Sequence, residues 1–320
     1  MSTFRKFINS VLKPFDLTLQ DRSLLWERNA FASLYESKTQ WVDKSGDYPA
    51  ECVVFSKNRA LQLHALLTTY YEKVASPVPL YVLYQTTDPS HQKAYEEINS
   101  LFPNHQISLI KQGNDYSFRE DLLNLLEVLT AEKVFFLVDD ILFIEDFDIR
   151  DFVEFDTDKF VPTLRMGLNL KKCYTVQKEQ PLPGLMADVI DDKDKIVWKW
   201  NQGVYDWSYP VSLDGHFFST QEIIAMIQLL DFSAPNTLED QLQKFRRFFS
   251  SRLGVAYKKS RIVNIPCNKV QEENKNLCGN IHQDFLLEQW QKGYQMDFKS
   301  LYCFMNESAH QEIPFNFIKR

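Results

Sequence analysis

The sequence lacks the short motifs by which several common enzyme classes are recognised. Glycine accounts for only nine of the 320 residues, and neither a GxxxxGKS or GxxxxGKT loop nor a GxGxxG loop occurs. The GxSxG and HExxH patterns are also missing. These absences argue against a P-loop kinase, a dinucleotide-binding enzyme, a nucleophile-elbow hydrolase and a zinc protease.

Cysteine is scarce and lacks the spacing of a disulfide framework or a zinc knuckle. No CxxC pair occurs, and the number of cysteines is odd. Reduced thiols in a cytoplasmic protein are therefore the expectation for the five cysteines, Cys52, Cys173, Cys267, Cys278 and Cys303.

Long hydrophobic runs are also missing. No stretch reaches the roughly 18 apolar residues that a membrane-spanning helix needs. Residues 1–20 carry Arg5, Lys6 and Lys13 among apolar positions, without the continuous apolar core of a signal peptide. We expect a cytoplasmic protein in which residues 1–20 either pack on their own domain or touch the inner face of a membrane peripherally.

An excess of basic residues is absent as well. The formal net charge of −7 argues against nucleic acid as a partner, because phosphate backbones are held chiefly by Lys and Arg. With 320 residues, 44% of them hydrophobic, the chain can bury a sizeable core. The aromatic content of 14% fits either core filling or surfaces on which sugars stack.

Strand and helix signals alternate through the first half of the chain. Strands are predicted at residues 52–55, 80–84, 107–110 and 133–138, with a helix after each of the first three. This order predicts an α/β fold with a mostly parallel sheet flanked by helices. Ligands of such sheets bind at the carboxyl ends of the strands, which here are followed by residues 56–59, 86–88 and 139–140.

The pattern loosens after about residue 151. Strands are predicted at residues 160–164, 196–200, 211–213 and 255–266, and helices at 220–230, 237–249 and 280–292. We expect this half to hold a second substrate.

The sequence Val138-Asp139-Asp140 is the first candidate site. An apolar strand that delivers two adjacent carboxylates to its end needs a cation there, because unpaired charges are costly to bury. Mg²⁺ or Mn²⁺ fits, since these ions prefer oxygen ligands and bridge to substrate phosphates. The alternative is a turn with solvated carboxylates.

Glu239 and Asp240 are the second candidate, at the start of a predicted helix. Acidic residues there are favoured by the helix dipole alone. The functional interpretation is that one carboxylate accepts the proton of an attacking hydroxyl. Asp214 and His216 either shape the site of that acceptor or form an ordinary turn.

His282 and two arginines complete the set of candidates. A neutral His282 imidazole would complete the protein ligands of a metal, unless it is simply a surface residue. Arg59 and Arg119 lie next to predicted strand ends, where guanidinium groups would neutralise a diphosphate; Lys57 is a weaker candidate for that role.

Four of these segments occur in a known order. Residues 53–59 form the predicted first strand and the loop after it, and Thr87-Asp88 follows the second strand. Further along, Val138-Asp139-Asp140 resembles a DxD metal motif, and Glu239-Asp240 resembles an ED-type base motif. Over residues 50–290 the chain resembles the GT-A class of nucleotide-sugar glycosyltransferases, most closely the family 2-like bacterial enzymes. One position departs from that class, because Val138 stands where a DxD motif has its first Asp.

The resemblance implies roles for individual residues. Asp140 and His282 would bind the metal, Asp240 or Glu239 would be the base, and Asp214 and His216 would contact the acceptor. The residues that would bind the nucleotide sugar are Ser56, Asn58, Arg59, Asp88, Arg119 and Asp139.

The resemblance also implies an activity. A sugar would pass from a nucleotide-diphosphate sugar, first of all a UDP-sugar, to a hydroxyl of a glycan or glycoconjugate, with Mn²⁺ or Mg²⁺ and inversion of the anomeric centre. The class implies polysaccharide biosynthesis on the cytoplasmic side of a membrane. Residues 1–48 would be a helical extension, 49–150 the donor half and 151–320 the acceptor half of one domain. Two alternatives stay open: a nucleotidyltransferase that uses the same carboxylates, and a binding module without catalysis.

Overall fold

The structure is a computed structural model that describes residues 8, 10, 11, 13, 22–40, 46–113, 115–267 and 281–320. The chain forms two compact units, Met1–Trp41 and Val42–Arg320. The first unit contains helix α1 (Arg22–Gln40). None of the helices in the described ranges combines the length and the apolar character needed to cross a bilayer.

The second unit contains the sheet and the cleft. In chain order its strands and α-helices are β1 (Ala50–Lys57), α2 (Ala60–Lys73), β2 (Leu80–Gln85), α3 (Pro89–Leu101), β3 (Ile107–Lys111), α4 (Phe118–Val128), β4 (Lys133–Val138), β5 (Ile141–Phe143), α5 (Arg150–Val153), β6 (Phe160–Pro162), β7 (Lys172–Cys173), β8 (Lys178–Glu179), β9 (Lys195–Lys199), β10 (Phe217–Ser219), α6 (Thr220–Gln228), α7 (Pro235–Leu242), α8 (Arg246–Phe249), β11 (Leu253–Tyr257), β12 (Ile262–Asn264), α9 (Gln283–Gln291), β13 (Tyr294–Met296) and β14 (Phe317–Lys319). Short 3-10 turns cover Trp200–Gln202, Tyr205–Ser208, Gln243–Phe245 and Lys299–Leu301.

The central sheet has the strand order β10-β4-β1-β2-β3. The pairs β1–β2, β1–β4 and β2–β3 are parallel, and β10 lies antiparallel to β4. Strands β1 and β4 are almost continuously apolar because both faces of a parallel sheet are covered. This confirms the predicted α/β fold with a mostly parallel sheet flanked by helices.

The register brings the predicted loops to one edge of the sheet. Phe55 of β1 pairs with Val138 of β4, and Lys57 pairs with Gln85 of β2. The residues that follow β1 and β4 therefore leave the sheet side by side. Asp139 continues the contact, since its backbone N–H donates to the carbonyl of Phe55 at 3.1 Å.

Local sequence signals define the helices of the first half. Asp88 caps α3 by accepting from the backbone N–H groups of Ser90 and His91. Ser117 and Glu120 form a capping box at the start of α4, in which each side chain accepts from the backbone of the other residue.

A second, three-stranded sheet of order β6-β11-β9 belongs to the later half. Beside it Trp198, Trp200 and Trp207 are fully buried. Arg252 makes a bidentate ion pair with the buried Glu222, with bonds of 2.8 and 2.6 Å. Such a pair satisfies the donors and acceptors of both side chains.

Three predicted elements of this half are wrong. Residues 211–213 form no strand; the chain turns at Gly215 (φ +69°), where an added Cβ would lie 2.8 Å from Ile262, and only then enters β10. Residues 255–266 form two strands instead of one, because β11 pairs with β9 while β12 pairs with β5. The helix predicted at 237–249 begins at Pro235 and breaks after Leu242 into a 3-10 turn and α8.

Candidate active site

A cleft of about 960 Å³ opens at the carboxyl ends of β1, β2 and β4. One wall comes from the loops after these strands, and the other from segments between β6 and α8. Its charged lining residues are Lys57, Arg59, Asp139, Asp140, Arg165, Asp206, Asp214, Glu239, Asp240, Arg246 and His310.

Asp139 is held by groups from the end of β1. Its Oδ2 accepts from the Ser56 hydroxyl at 2.7 Å and from the backbone N–H of Lys57 at 3.2 Å. Its Oδ1 accepts from Nη1 of Arg59 at 2.9 Å. The hydroxyl of the buried Tyr95 lies 2.5 Å from Ser56 Oγ and accepts from the backbone N–H of Arg59. Asp139 is thus a fixed carboxylate with little freedom to move.

Arg59 joins Asp139 to Asp140 through one nitrogen. Nη1 lies 2.9 Å from Asp139 Oδ1 and 3.0 Å from Asp140 Oδ2, and all three side chains are at most 10% exposed. Burial opposes the charge of Arg59, but the two carboxylates outweigh burial and raise the pKa of the guanidinium. Burial also raises the pKa of Asp140 to about 6, against the attraction of Arg59. Burial of Asp140 thus outweighs the stabilisation that Arg59 gives to its charged form.

The Asp140 carboxylate would suit a second cation besides the guanidinium of Arg59. Its Oδ1 is buried and has no hydrogen-bond partner among the described residues. No group of three or more His, Cys, Asp and Glu side chains in the described ranges forms a ready metal site. A divalent ion that takes one carboxylate from the protein and completes its shell with phosphate oxygens and water would suit such a partial site.

Glu239 and Asp240 lie on the opposite wall. Oε1 of Glu239 accepts from the backbone N–H of Leu213 at 3.2 Å, and the carboxyl also bonds to Ser212. Burial and the nearby Asp214 raise the pKa of Glu239. Asp240 lines the same cleft and is exposed.

The start of α7 bears on the dipole interpretation of these two acids. Because the helix begins at Pro235, its first turn contains no acidic residue. The helix dipole acts mainly within the first turn, so it does not account for Glu239 and Asp240.

A buried ion network supports this wall. Arg165 donates to Asp206 at 2.7 Å and to Ser212 at 2.8 Å, and its Nη1 lies 3.6 Å from Asp214. His310 reaches Asp214 from the C-terminal segment, with Nε2 and Oδ2 3.1 Å apart. Burial opposes both charges of that pair, but their attraction outweighs it, lowering the pKa of Asp214 and raising that of His310.

The structure brings seven of the twelve sequence-predicted site residues to the cleft. They are Ser56, Arg59, Asp139, Asp140, Asp214, Glu239 and Asp240. The other five are not among the described residues that line it: Asn58, Asp88, Arg119, His216 and His282.

Asn58 and Asp88 shape the loops behind the cleft. Asn58 adopts φ +54°, and its amide donates to Thr87 Oγ1 at 2.8 Å and accepts from the Thr87 N–H at 3.0 Å. Asp88 caps α3. Both residues therefore fix the ends of β1 and β2, which is a different role from the predicted contact with a nucleotide.

Arg119, His216 and His282 also lie outside the described lining of the cleft. Arg119 donates to the carbonyls of Gln228 and Leu230 at 2.8 Å, at the C-terminal end of α6, where helix carbonyls favour a cation. His216 is buried, and burial lowers its pKa to about 3, so it is a neutral core residue. His282 has a side chain 72% exposed and caps α9.

Sequence reasoning missed several residues of the cleft. Arg165, Tyr205, Arg246 and His310 line it but lie in segments without a recognisable motif. His310 arrives through a parallel bridge to Asn264, a pairing between distant parts of the chain. The only sequence signal for Tyr205 was the high aromatic content, and a composition does not identify a position in the chain.

No family model matches the chain. An alignment of 192 positions, which covers 55% of this chain, shows 24% identity to the bifunctional glycosyltransferase pgtA of Dictyostelium discoideum. It spans only 24% of that protein.

Several solved structures are partly similar. S. aureus TarS is 14% identical with a TM-score of 0.43, over 69% of this chain and 37% of TarS. A 4-diphosphocytidyl-2C-methyl-D-erythritol synthase from Anaerococcus prevotii is 12% identical with a TM-score of 0.39, over 76% of this chain and 96% of that one. The mannosyltransferase PcManGT from Pyrobaculum calidifontis is 15% identical with a TM-score of 0.30, over 44% and 45%.

Proposed function

We propose that the protein is a glycosyltransferase that moves a sugar from a nucleotide-diphosphate sugar to an acceptor hydroxyl. One observation carries the proposal: the Asp139–Asp140 pair at the end of β4 lines the same cleft as Glu239 and Asp240. The first pair suits a donor whose diphosphate brings a divalent cation, and the second pair suits a hydroxyl that must lose a proton. The sequence similarity to a glycosyltransferase supports the same reaction class.

The donor would bind at the edge formed by β1 and β4. Asp139 is held in place by Ser56, Lys57 and Arg59, so it would present its remaining lone pairs to a ribose or sugar hydroxyl from a fixed position. Arg59 is already the counter-ion of Asp139 and Asp140, so Lys57 and a bound cation would offset the charge that develops on the departing diphosphate. A UDP-sugar is our first choice of donor.

Mn²⁺ or Mg²⁺ would be held by Asp140, whose Oδ1 is buried and has no hydrogen-bond partner in the part of the chain that the structure describes. When bound, the ion would neutralise charge on the diphosphate. His282 was the second predicted ligand; its exposed position as the cap of α9 gives no support to that role.

The acceptor hydroxyl would be activated on the opposite wall. We assign proton acceptance to Asp240, which is exposed to the cleft, while Glu239 is bound to the backbone of Leu213 and fixes α7 there. A base in line with the leaving group gives inversion at the anomeric carbon. Asp214 would contact the acceptor, held by Arg165 and His310.

A thermal-shift panel tests the donor site. UDP, GDP, CMP and UDP-sugars are each added with and without Mn²⁺, because a ligand that binds only the folded state raises Tm by mass action. Stabilisation by one nucleoside diphosphate in the presence of Mn²⁺ supports the proposal and identifies the nucleobase of the donor. No shift with any of them contradicts it.

Product analysis separates the proposed reaction from its alternatives. A glycosyltransferase releases a nucleoside diphosphate from the donor when an acceptor is present. A nucleotidyltransferase instead joins a sugar phosphate to the nucleotidyl group of a nucleoside triphosphate and releases pyrophosphate. A binding module binds the nucleotide sugar and releases neither product.

A further inference from the structure

Two rim segments form the outer part of the acceptor wall. The hairpin β7–β8 contributes Tyr174 and Val176 to the cleft, and the turn Tyr205–Ser208 contributes Tyr205. Val176 is 43% exposed and Tyr205 is 37% exposed. Apolar surface is thus displayed at the mouth of a cleft whose floor is charged.

The backbone of Tyr205 is in an unfavourable conformation. Its φ of +50° lies in the left-handed region, which a bulky side chain rarely occupies. Such strain persists only where the surrounding structure imposes it, and it is concentrated at functional sites. A turn selected for stability alone would place Gly or Asn at this position.

The packing around the turn explains how the strain is imposed. At Gly203 an added Cβ would lie 2.1 Å from the carbonyl oxygen of Trp207, so the chain closes on itself here only with glycine. Trp207 is fully buried beneath the turn with Trp198 and Trp200. The rigid core below therefore fixes the direction in which Tyr205 leaves the turn.

The turn is also cross-linked to the base of the hairpin. The Gln180 amide donates to Asp206 Oδ2 at 3.2 Å and accepts from the Asp206 N–H at 3.2 Å. Asp206 is in turn bound by the buried Arg165 at 2.7 Å. These bonds thus join the hairpin β7–β8 and the turn that carries Tyr205 into one preorganised wall.

We propose that Tyr205 is a stacking platform for a pyranose ring of the acceptor. Tyr205 is 37% exposed and lines the cleft, where an aromatic ring matches the apolar C–H face of a pyranose and the carboxylates of the same cleft match its hydroxyl groups. The inference rests on the proposed function and adds to it the chemistry of the second substrate, a pyranoside-bearing glycan. Val176 extends the same apolar surface.

Direct sugar binding tests the platform without turnover. Saturation-transfer NMR is recorded with the methyl pyranosides of glucose, galactose, N-acetylglucosamine and mannose, in the absence of nucleotide. Tyr205→Asn removes the ring at a position where Asn tolerates positive φ, and Tyr205→Phe keeps the ring. Tyr116→Asn is the matched control, because Tyr116 is 59% exposed and is not among the described residues of the cleft.

The expected result is saturation transfer from the wild-type protein to ring protons of at least one pyranoside. Tyr205→Asn should weaken this binding on the order of fivefold, while Tyr205→Phe and Tyr116→Asn leave it within about twofold. The Tm of Tyr205→Asn should not fall, which separates loss of the ring from loss of the fold. No transfer to any of the four pyranosides, or unchanged binding by Tyr205→Asn, overturns the inference.

The nucleotide panel distinguishes this failure from failure of the proposed function. Stabilisation by a nucleoside diphosphate without pyranoside binding overturns the platform alone. Pyranoside binding that depends on Tyr205, without any effect of nucleotides, keeps the stacking site but overturns the glycosyltransferase proposal and, with it, the acceptor role of that site. If Tyr205→Asn instead abolishes the nucleotide shift, the ring stacks on the donor base and the acceptor assignment is wrong.

Discussion

Nε2 of His310 lies 3.1 Å from Oδ2 of Asp214, so the C-terminal segment supplies the counter-charge of a carboxylate in the cleft. The pair is formed by residues distant in sequence, and Arg165 stands on the other side of Asp214. Burial opposes the charged forms, but their mutual attraction is stronger, so the pKa of His310 is raised and that of Asp214 is lowered.

The first prediction concerns the pH dependence of stability. A histidine with a raised pKa in the folded state stabilises fully below its unfolded pKa of about 6.5. This contribution is lost as the pH rises through the folded pKa. His310→Asn should therefore lower the free energy of unfolding by about 1–3 kcal/mol at pH 6, and by less at pH 9.

Urea unfolding of both proteins at the two pH values measures this difference. His282→Asn is the control, because His282 is an exposed helix cap and Asn caps a helix well. An equal loss at pH 6 and pH 9 in His310→Asn means that the imidazole carries no charge in the pair.

The second prediction concerns Asp140. Asp140→Asn keeps the size of the side chain but removes the charge that would hold a divalent ion, so the Mn²⁺-dependent thermal shift with nucleotide should disappear. In the wild type a ligand at 100 times its Kd stabilises by about 2.7 kcal/mol. Asp146→Asn, whose side chain is 87% exposed, should behave as the wild type. An intact Mn²⁺ dependence in Asp140→Asn rules out the metal assignment.

The third prediction separates Asp240 from Glu239. Asp240→Asn should lower kcat about 10²- to 10⁴-fold, the range expected when a general base is removed, with donor affinity unchanged. Glu239→Gln retains an oxygen that accepts from Leu213 N–H, so its kcat should fall less. Steady-state kinetics on both variants decide the assignment. The reverse order of effects would identify Glu239 as the base.

The fourth prediction concerns Arg59. Arg59→Met leaves the buried Asp139 and Asp140 without their counter-ion, which should destabilise the protein by about 3–5 kcal/mol. Mn²⁺ alone should then raise the Tm of Arg59→Met more than that of the wild type, because a second cation becomes the main partner of the carboxylates. Thermal unfolding with and without Mn²⁺ measures both effects. An equal Mn²⁺ effect in the two proteins contradicts this reasoning.

The meeting of the residues that follow β1 and β4 was predictable from the sequence because its determinants are local. Strands β1 and β4 are continuous apolar runs, and each ends in polar residues at the same edge of a parallel sheet. Ser56, Arg59, Asp139 and Asp140 therefore meet as expected, and only their hydrogen-bond partners required coordinates.

The wall of the cleft that carries Arg165 and His310 was less predictable because its contacts are non-local. His310 is placed by its bridge to Asn264, and Arg165 by ion pairs to Asp206 and Asp214. His282 and His216 were chosen by residue type alone, and neither is among the described residues that line the cleft, so their predicted roles gain no support. A local pattern of apolar and polar residues contains no information about such pairings.

The antiparallel pairing of β10 with β4 has a consequence for how this architecture can be altered. The chain leaves the sheet after Val138 and returns at Phe217, which pairs with Phe135, so the intervening excursion begins and ends on adjacent strands. The entropy of closing such a loop grows only slowly with its length. Arg165, Tyr205 and Asp206 all belong to this excursion. Asp139 lies at its start, and Arg59 and the parallel strands lie outside it. Changes of length within it that spare β6 and β9, which pair with β11 outside the excursion, therefore cost little loop-closure entropy and leave the edge formed by β1 and β4 in place.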